Sequence, residues 1–199
     1  GINPSAAITC VKPSGTVSQL VNSASGIHTR HSPYYIRTVR ADKKDPLARM
    51  MLEQGFPVED DVMKPDSGYV FSFPQKAPDG AICRDDVTAI EQLEIWKTYQ
   101  ENYTEHKPSV TINVKEPEWM GVGAWVYSNF DICSGVSFLP FSEHSYRQAP
   151  YQECSKEEYE ELLALMPKEN DWSQLGEYET DDSTINLKEL ACSSGNCEI

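Results

Sequence analysis

The chain has 199 residues and sets 31 Asp and Glu against 17 Lys and Arg, a formal net charge of −14. That balance argues against a broad nucleic-acid surface, because phosphates are repelled; no run of about 18 apolar residues offers a membrane span. The length suits one domain, or one domain and a tail; a hydrophobic fraction of 39% is a little low for a self-contained globule but well above a disordered chain, and no basic start followed by an apolar stretch marks a secretory signal.

The chain enters an apolar segment early, and "AAITCV" (residues 6–11) is predicted as a strand. "KPSGT" breaks it, and "VSQLVNSASG" predicts a short helix closed by Gly26. "SPYYIRTVR", rich in aromatic and β-branched residues, predicts a second strand. In "DPLARMMLEQG", Asp45 is the expected N-cap, Pro46 the first helical residue and Gly55 the stop signal. "GYVFSFPQK" is the next strand. The longest helical pattern lies in "DVTAIEQLEIWKTYQENYTEH", where Ile90, Leu93, Trp96, Tyr99 and Tyr103 recur every three or four residues and Pro108 ends the run. "SVTINVK" predicts a strand, "EPEWMGVGAWVYSNF" a helix with Pro117 near its start, and "GVSFLPF" an apolar strand. "SKEEYEELLALM" is an acidic amphipathic helix opened by Ser155. After Pro167 the sequence turns polar and acidic, and from about Gly176 no periodicity survives, which predicts a mobile tail. Strands and helices alternate throughout, so the expected class is α/β.

Six cysteines are scattered through the chain. Without a secretory signal they favour reduced thiols in a cytoplasmic protein over a disulfide scaffold. The short pairs His28/His31 and Cys192/Cys197 have unlike spacing and lie at opposite ends, so no structural zinc site is expected. Cys10 reads as a core residue, and Cys83, Cys133 and Cys154 carry no assigned role.

Two stretches carry chemistry. In "TCVKPSGTVSQL" a strand, a turn and a helix start follow one another. Amide groups at a helix start point outward and favour an anion; Gly15 permits close approach, and Ser14, Thr16 and Ser18 add hydroxyls. The same residue types also make a plain capped helix after a strand turn, and both readings stay open. The full spacing of a Walker motif is missing. The second stretch is "LACSSGNCEI", which places Cys192 and Cys197 five positions apart on the tail. A pair so close closes a disulfide readily and, on a tail, reaches both a buried site and a soluble reductant. Two incidental thiols at a frayed end are the other reading.

"TCVKPSGTVSQLVNSASGIHTRHSPYYIRTVR", "GVSFLPF" and "YRQAPYQECSKEEYEEL", together with the Cys-x4-Cys tail, resemble the catalytic chain of ribonucleotide reductases. The likeness is greatest to the monomeric class II, adenosylcobalamin-dependent ribonucleoside-triphosphate reductases. The resemblance implies that Pro13, Ser14, Gly15, Thr16, Val17 and Ser18 bind substrate phosphates. It also implies that Cys192 and Cys197 re-reduce the active site and are themselves re-reduced by a thioredoxin-like protein. The family's radical cysteine sits in an Asn-x-Cys-x-Glu pattern that this chain lacks. The chain is therefore expected to be the C-terminal part of a reductase, from a split or intein-interrupted gene or an excised segment. It would be active only with an N-terminal part, on a ribonucleoside triphosphate and with adenosylcobalamin. The implied fold is the closing part of a ten-stranded α/β barrel: residues 1–150 in the barrel, 151–175 an acidic helical extension, 176–199 a redox-active tail. Neither a glycyl-radical segment nor a four-cysteine zinc site is present, and the one adjacent tyrosine pair, Tyr34–Tyr35, lies in a strand early in the chain, where class I would need it later. His28, His31 and Arg37 fit a substrate or cofactor edge, but read more simply as surface residues. The alternative function is a non-catalytic remnant that binds a nucleotide or a partner.

Overall fold

The computed structural model describes residues 1–141 and 146–179. Along the chain run α1 (Val17–Leu20), β1 (Tyr34–Asp42), α2 (Pro46–Glu53), β2 (Val58–Asp60), β3 (Gly68–Lys76), α3 (Ala89–Asn102), β4 (Thr111–Val114), α4 (Trp119–Ser128), β5 (Ser137–Pro140), β6 (Tyr151–Glu153), α5 (Lys156–Leu165) and α6 (Leu175–Tyr178). They divide between two compact units. One gathers Gly1–Pro33 with the described part of Ala77–His144, the other Tyr34–Lys76 with the described residues after Ser145.

The first unit is built on a single crossover. β4 and β5 are parallel, from Thr111↔Ser137 to Val114↔Pro140, and α4 connects them. Parallel neighbours need such a connection, since no tight turn can join them. α3 begins with a reciprocal cap: Thr88 Oγ1 accepts from the Glu91 amide at 3.2 Å, and the Glu91 carboxylate accepts from the Thr88 amide at 2.7 Å. The bonds from the Thr88 backbone and hydroxyl hold the Glu91 carboxyl below its ordinary range. Ala89, Gln92, Leu93 and Trp96 then fall on one buried stripe. Leu93 and Trp96 meet Ile112, Val114, Val122 and Trp125 in the core, where the two tryptophan rings stand edge to face at 6.4 Å. The Trp96 indole N–H, buried with its ring, donates to the Pro108 carbonyl at 3.0 Å.

The second unit is a four-stranded antiparallel sheet in the order β2-β3-β1-β6. β1 and β3 pair over nine residues, from Tyr34↔Lys76 to Asp42↔Gly68. α2 starts as its sequence dictates. Asp45 accepts from the Leu47 amide at 2.8 Å and Pro46 takes the first turn. Ala48, Met51, Phe56 and Phe71 form this unit's core, with Phe73, Tyr69 and Met166 partly buried beside them. α5 has the same reciprocal cap as α3, here between Ser155 and Glu158, yet buries no residue. α6 lies on α2, and the Tyr178 hydroxyl donates to Glu53 at 2.7 Å.

Three expectations are corrected. Residues 6–11 form no strand. The segment runs beside the loop after α3, where the amides of both Glu105 and His106 converge on the Thr9 carbonyl at 3.1 and 3.0 Å. A curled loop cannot offer the alternating partners that a ladder needs. Cys10 is accordingly exposed, not in the core. The helix expected over "VSQLVNSASG" stops at Leu20, because Asn22 takes a left-handed φ of 50°. The expected α/β class stands, with a parallel pair in the first unit and an antiparallel sheet in the second; among the described residues the sheets have four and two strands and do not close into a barrel.

Candidate functional site

The turn after residue 12 is organised by one serine. The Ser14 amide donates to Ser25 Oγ at 3.0 Å, its carbonyl accepts from the Thr16 amide at 2.7 Å, and its hydroxyl oxygen accepts from the Ser18 amide at 3.1 Å. Ser14 thus performs the capping role for α1, although it sits two residues before the helical N-cap Thr16. Gly15 has a φ of +60°, a conformation that side chains disfavour, and a Cβ placed on it would meet nothing within 4 Å. Gly15, Thr16 and Val17 are exposed, Pro13 is half-buried, and Ser18 is buried with a hydroxyl that has no hydrogen-bond partner among the described residues.

A scaffold of residues unsuspected in the sequence supports this turn. Gly26, at φ +61°, lies so close that a Cβ would come within 3.2 Å of the Lys12 carbonyl oxygen. Arg30 is only 4% exposed. Its guanidinium donates to the Ser23 carbonyl at 2.6 Å and to Asn22 Oδ1 at 2.8 Å, fixing the chain where it leaves α1. The Ser23 amide in turn donates to the Ser18 carbonyl at 2.8 Å.

His28 is half-buried and bonded on both nitrogens, which corrects its reading as a surface residue. Nε2 lies 3.1 Å from the Thr111 amide, a pure donor, so Nε2 accepts and the proton sits on Nδ1, which donates to the Ser25 carbonyl at 2.7 Å. The imidazole therefore joins the loop behind the turn to the outer edge of β4. Gln92 finishes that edge. Its carboxamide accepts from the Asn113 amide at 3.4 Å and donates to the Asn113 carbonyl at 3.5 Å. Side chains thus occupy the edge of β4 that faces away from β5. A glutamine inside the apolar stripe of α3 was a signal available in the sequence; Arg30 carried none.

His31 is half-buried too. Burial, and then the charge of Arg84, push its pKa down to about 4. The Arg84 guanidinium and the Lys115 ammonium lie 4.8 and 5.4 Å from the centre of the Phe141 ring, just past the ends of β4 and β5. In the other unit Arg37 stands over the Tyr151 ring at 5.8 Å.

Cys192 and Cys197 lie outside the described residues. Of the other cysteines, Cys83 is buried, and burial raises the thiols of Cys133 and Cys154 above their ordinary value. Among the described residues no three His, Cys, Asp or Glu side chains are grouped to hold a metal ion, and no helix is long and apolar enough to cross a membrane.

No protein-family model matches the chain. Curated relatives do. An adenosylcobalamin-dependent ribonucleoside-triphosphate reductase of Euglena gracilis is 32% identical over 166 residues, 81% of this chain and 22% of the relative. A probable enzyme of the same description from Dictyostelium discoideum is 29% identical over 96% of this chain and 25% of its own length. The Lactobacillus acidophilus enzyme is 28% identical over the whole chain and 27% of its own. A crystal structure of a B12-dependent (class II) ribonucleotide reductase superposes with a TM-score of 0.72 at 27% identity, covering 86% of this chain and 24% of that one. The chain thus spans about a quarter of the length of the proteins it matches.

Proposed function

This chain belongs to the class II, B12-dependent ribonucleotide reductase family, and on that premise we propose that it is the C-terminal part of such an enzyme. It works with the N-terminal part to convert ribonucleoside triphosphates to deoxyribonucleotides. The observation that carries the reading is a match running through nearly the whole chain to proteins about four times as long.

Residues 1–150 belong to the reductase barrel, and the turn from Pro13 to Ser18 holds the substrate's phosphates. Gly15 and Thr16 are exposed, and the Ser18 hydroxyl has capacity to spare. Ser14 shapes the turn through its internal bonds. With the amides of Ser14, Thr16 and Ser18 engaged in those bonds, an anion there draws on the Gly15 amide and the Thr16 and Ser18 hydroxyls, and needs no metal. Residues 151–175 are the acidic helical extension, and 176–199 the redox tail. The thiolate of Cys192 or Cys197 attacks one sulfur of the disulfide left at the active site by turnover. A mixed disulfide forms and one active-site thiol leaves. The second tail thiolate then attacks the tail sulfur of that mixed disulfide. The other active-site thiol is released, and a Cys192–Cys197 disulfide remains. Two electrons have moved to the active site, and a thioredoxin-like dithiol returns them to the tail. Adenosylcobalamin, bound by the complete enzyme, supplies the radical.

Reconstitution tests the reading. This chain is mixed with the upstream reductase polypeptide, a ribonucleoside triphosphate, adenosylcobalamin and a reductant, and deoxynucleotide is measured. Product that requires both chains is expected. Cys192→Ser and Cys197→Ser are each expected to abolish turnover driven by thioredoxin and to spare turnover driven by a small dithiol. A stable complex of competent chains that yields no product refutes the catalytic reading and leaves a nucleotide- or partner-binding remnant.

A further inference from the structure

We propose that the outer face of α4, formed by Met120, Ala124 and Tyr127 and continued by Phe130, is the surface on which an apolar segment of the upstream reductase polypeptide packs. The inference rests on the reading above and names the surface that the missing partner would cover.

Between Trp119 and Phe130 the sequence WMGVGAWVYSNF holds no charged residue, in a chain that is 24% charged. The inner face of the helix explains only part of this. Val122 and Trp125 are buried in the first unit's core, with Trp119 and Val126 partly buried beside them. On the other side Met120, Tyr127 and Phe130 are 87%, 86% and 72% exposed, and Ala124 is exposed between them. Steps of four and three residues place Met120, Ala124 and Tyr127 on one stripe of the helix, and Phe130 follows just past its end. A helix that is apolar all round belongs inside a larger body. α5, in the other unit, is built otherwise: Lys156, Glu157, Glu160 and Glu161 are exposed.

Two observations choose the occupant. About three quarters of the length of the matched reductases lies outside this chain. In addition, β5, which follows α4 in the crossover, pairs with β4 alone among the described strands, so its other edge remains open to further polypeptide. A second copy of the chain fits less well. Pairing two α4 faces would bring Glu116, Glu118 and Asp131 of each copy close together, within molecules that already carry −14 each.

The test uses the wild-type chain and the single variants Met120→Lys and Ala124→Glu. Each is titrated with the upstream reductase polypeptide and followed by sedimentation, with the melting temperature of each chain measured alone. The expected result is binding by wild type, binding at least about tenfold weaker for each variant, and unchanged melting, since both positions are exposed. Variants that bind as tightly as wild type overturn the surface and leave the reductase reading intact. A wild-type dimer that the variants dissociate assigns the face to a second copy and overturns the proposal. Wild-type chain that does not bind the upstream polypeptide at all refutes the reductase-fragment reading, and the surface with it.

Discussion

His28 bridges positions 83 residues apart in sequence, from the loop behind the turn to the edge of β4. Its two bonds hold only for the neutral ring with the proton on Nδ1. His28→Ala strands the Thr111 amide and the Ser25 carbonyl and should lower stability by about 1–3 kcal/mol. Urea unfolding checks this, and an unmoved midpoint would mean that water replaces the imidazole at no cost. His31 answers to acid. Its folded pKa, about 4, lies below the unfolded value of 6.5. Between those two values the unfolded chain binds a proton that the native chain refuses, so stability rises with pH across the window. The contribution is complete above pH 6.5 and is lost as pH falls towards 4. Urea midpoints at pH 7, 5.5 and 4.5 should decline in wild type, and His31→Asn should flatten part of that decline. An imidazole that titrates near 6.5 by NMR in the native chain would sink the argument. At the turn, Ser14→Ala removes the acceptor for the Ser18 amide and should cost about 1 kcal/mol. If the turn holds phosphates, this variant should also weaken ribonucleoside-triphosphate binding by the reconstituted enzyme.

Two helices carry the same cap and should respond differently to losing it. In α3, Thr88→Ala removes the acceptor for the Glu91 amide, and the helix it caps holds Leu93 and Trp96 in the core. The loss of about 1 kcal/mol should therefore appear in the global unfolding midpoint. In α5, Ser155→Ala deletes an equivalent bond, but no residue of that helix is buried. The effect should be confined to faster amide exchange along α5, with the midpoint nearly unchanged. Equal shifts in both variants would contradict this division. Two caps were legible in the sequence, because the signal is local: Asp45-Pro46 and Ser155 each mark a helix start to the residue, whereas Thr88 was not singled out. β3 was legible for the same reason, since "GYVFSFPQK" matches Gly68–Lys76 end to end. What depends on distant partners was not. Residues 6–11 have a strand's composition and no strand beside them. β2 and β6, three residues each, exist only because β3 and β1 offer edges. The stripe read along α3 continued to Tyr99 and Tyr103, but these are 37% and 56% exposed and stack edge-on against each other, because the helix outruns the core. Alternating strands and helices suggested α/β, and only pairing decides that β1 and β3 are antiparallel. At the site, the residue types of the turn could be read directly, whereas the support from Arg30, His28 and Gln92 required the fold.

The two units have separate cores, and their prospects alone differ. The second unit closes its sheet with short edge strands, β2 and β6, the usual way of ending a sheet safely. Among the described residues the first unit rests on two parallel strands of four residues, with helices packed on one face and β5 paired on one edge alone. Parallel sheets are stable when both faces are covered, and among the described residues this unit supplies helices to one face only. A polypeptide that binds the native chain, and not the unfolded one, should cover the other. At free concentrations about a hundred times Kd such binding adds about 2.7 kcal/mol, a large fraction of the roughly 5–15 kcal/mol that holds an ordinary domain together. Leu93→Ala, which empties a fully buried position of the first unit, costs about 2–5 kcal/mol. That variant should unfold the first unit when alone and be rescued by excess upstream reductase polypeptide. Phe71→Ala in the second unit's core should be rescued less, because that unit is less dependent on missing surface. Hydrogen exchange resolved by segment distinguishes the cases. Rescue confined to residues 89–141 supports the argument. A first unit that unfolds cooperatively with several kcal/mol of stability by itself, and gains nothing from the upstream polypeptide, would show that its two strands need no further cover.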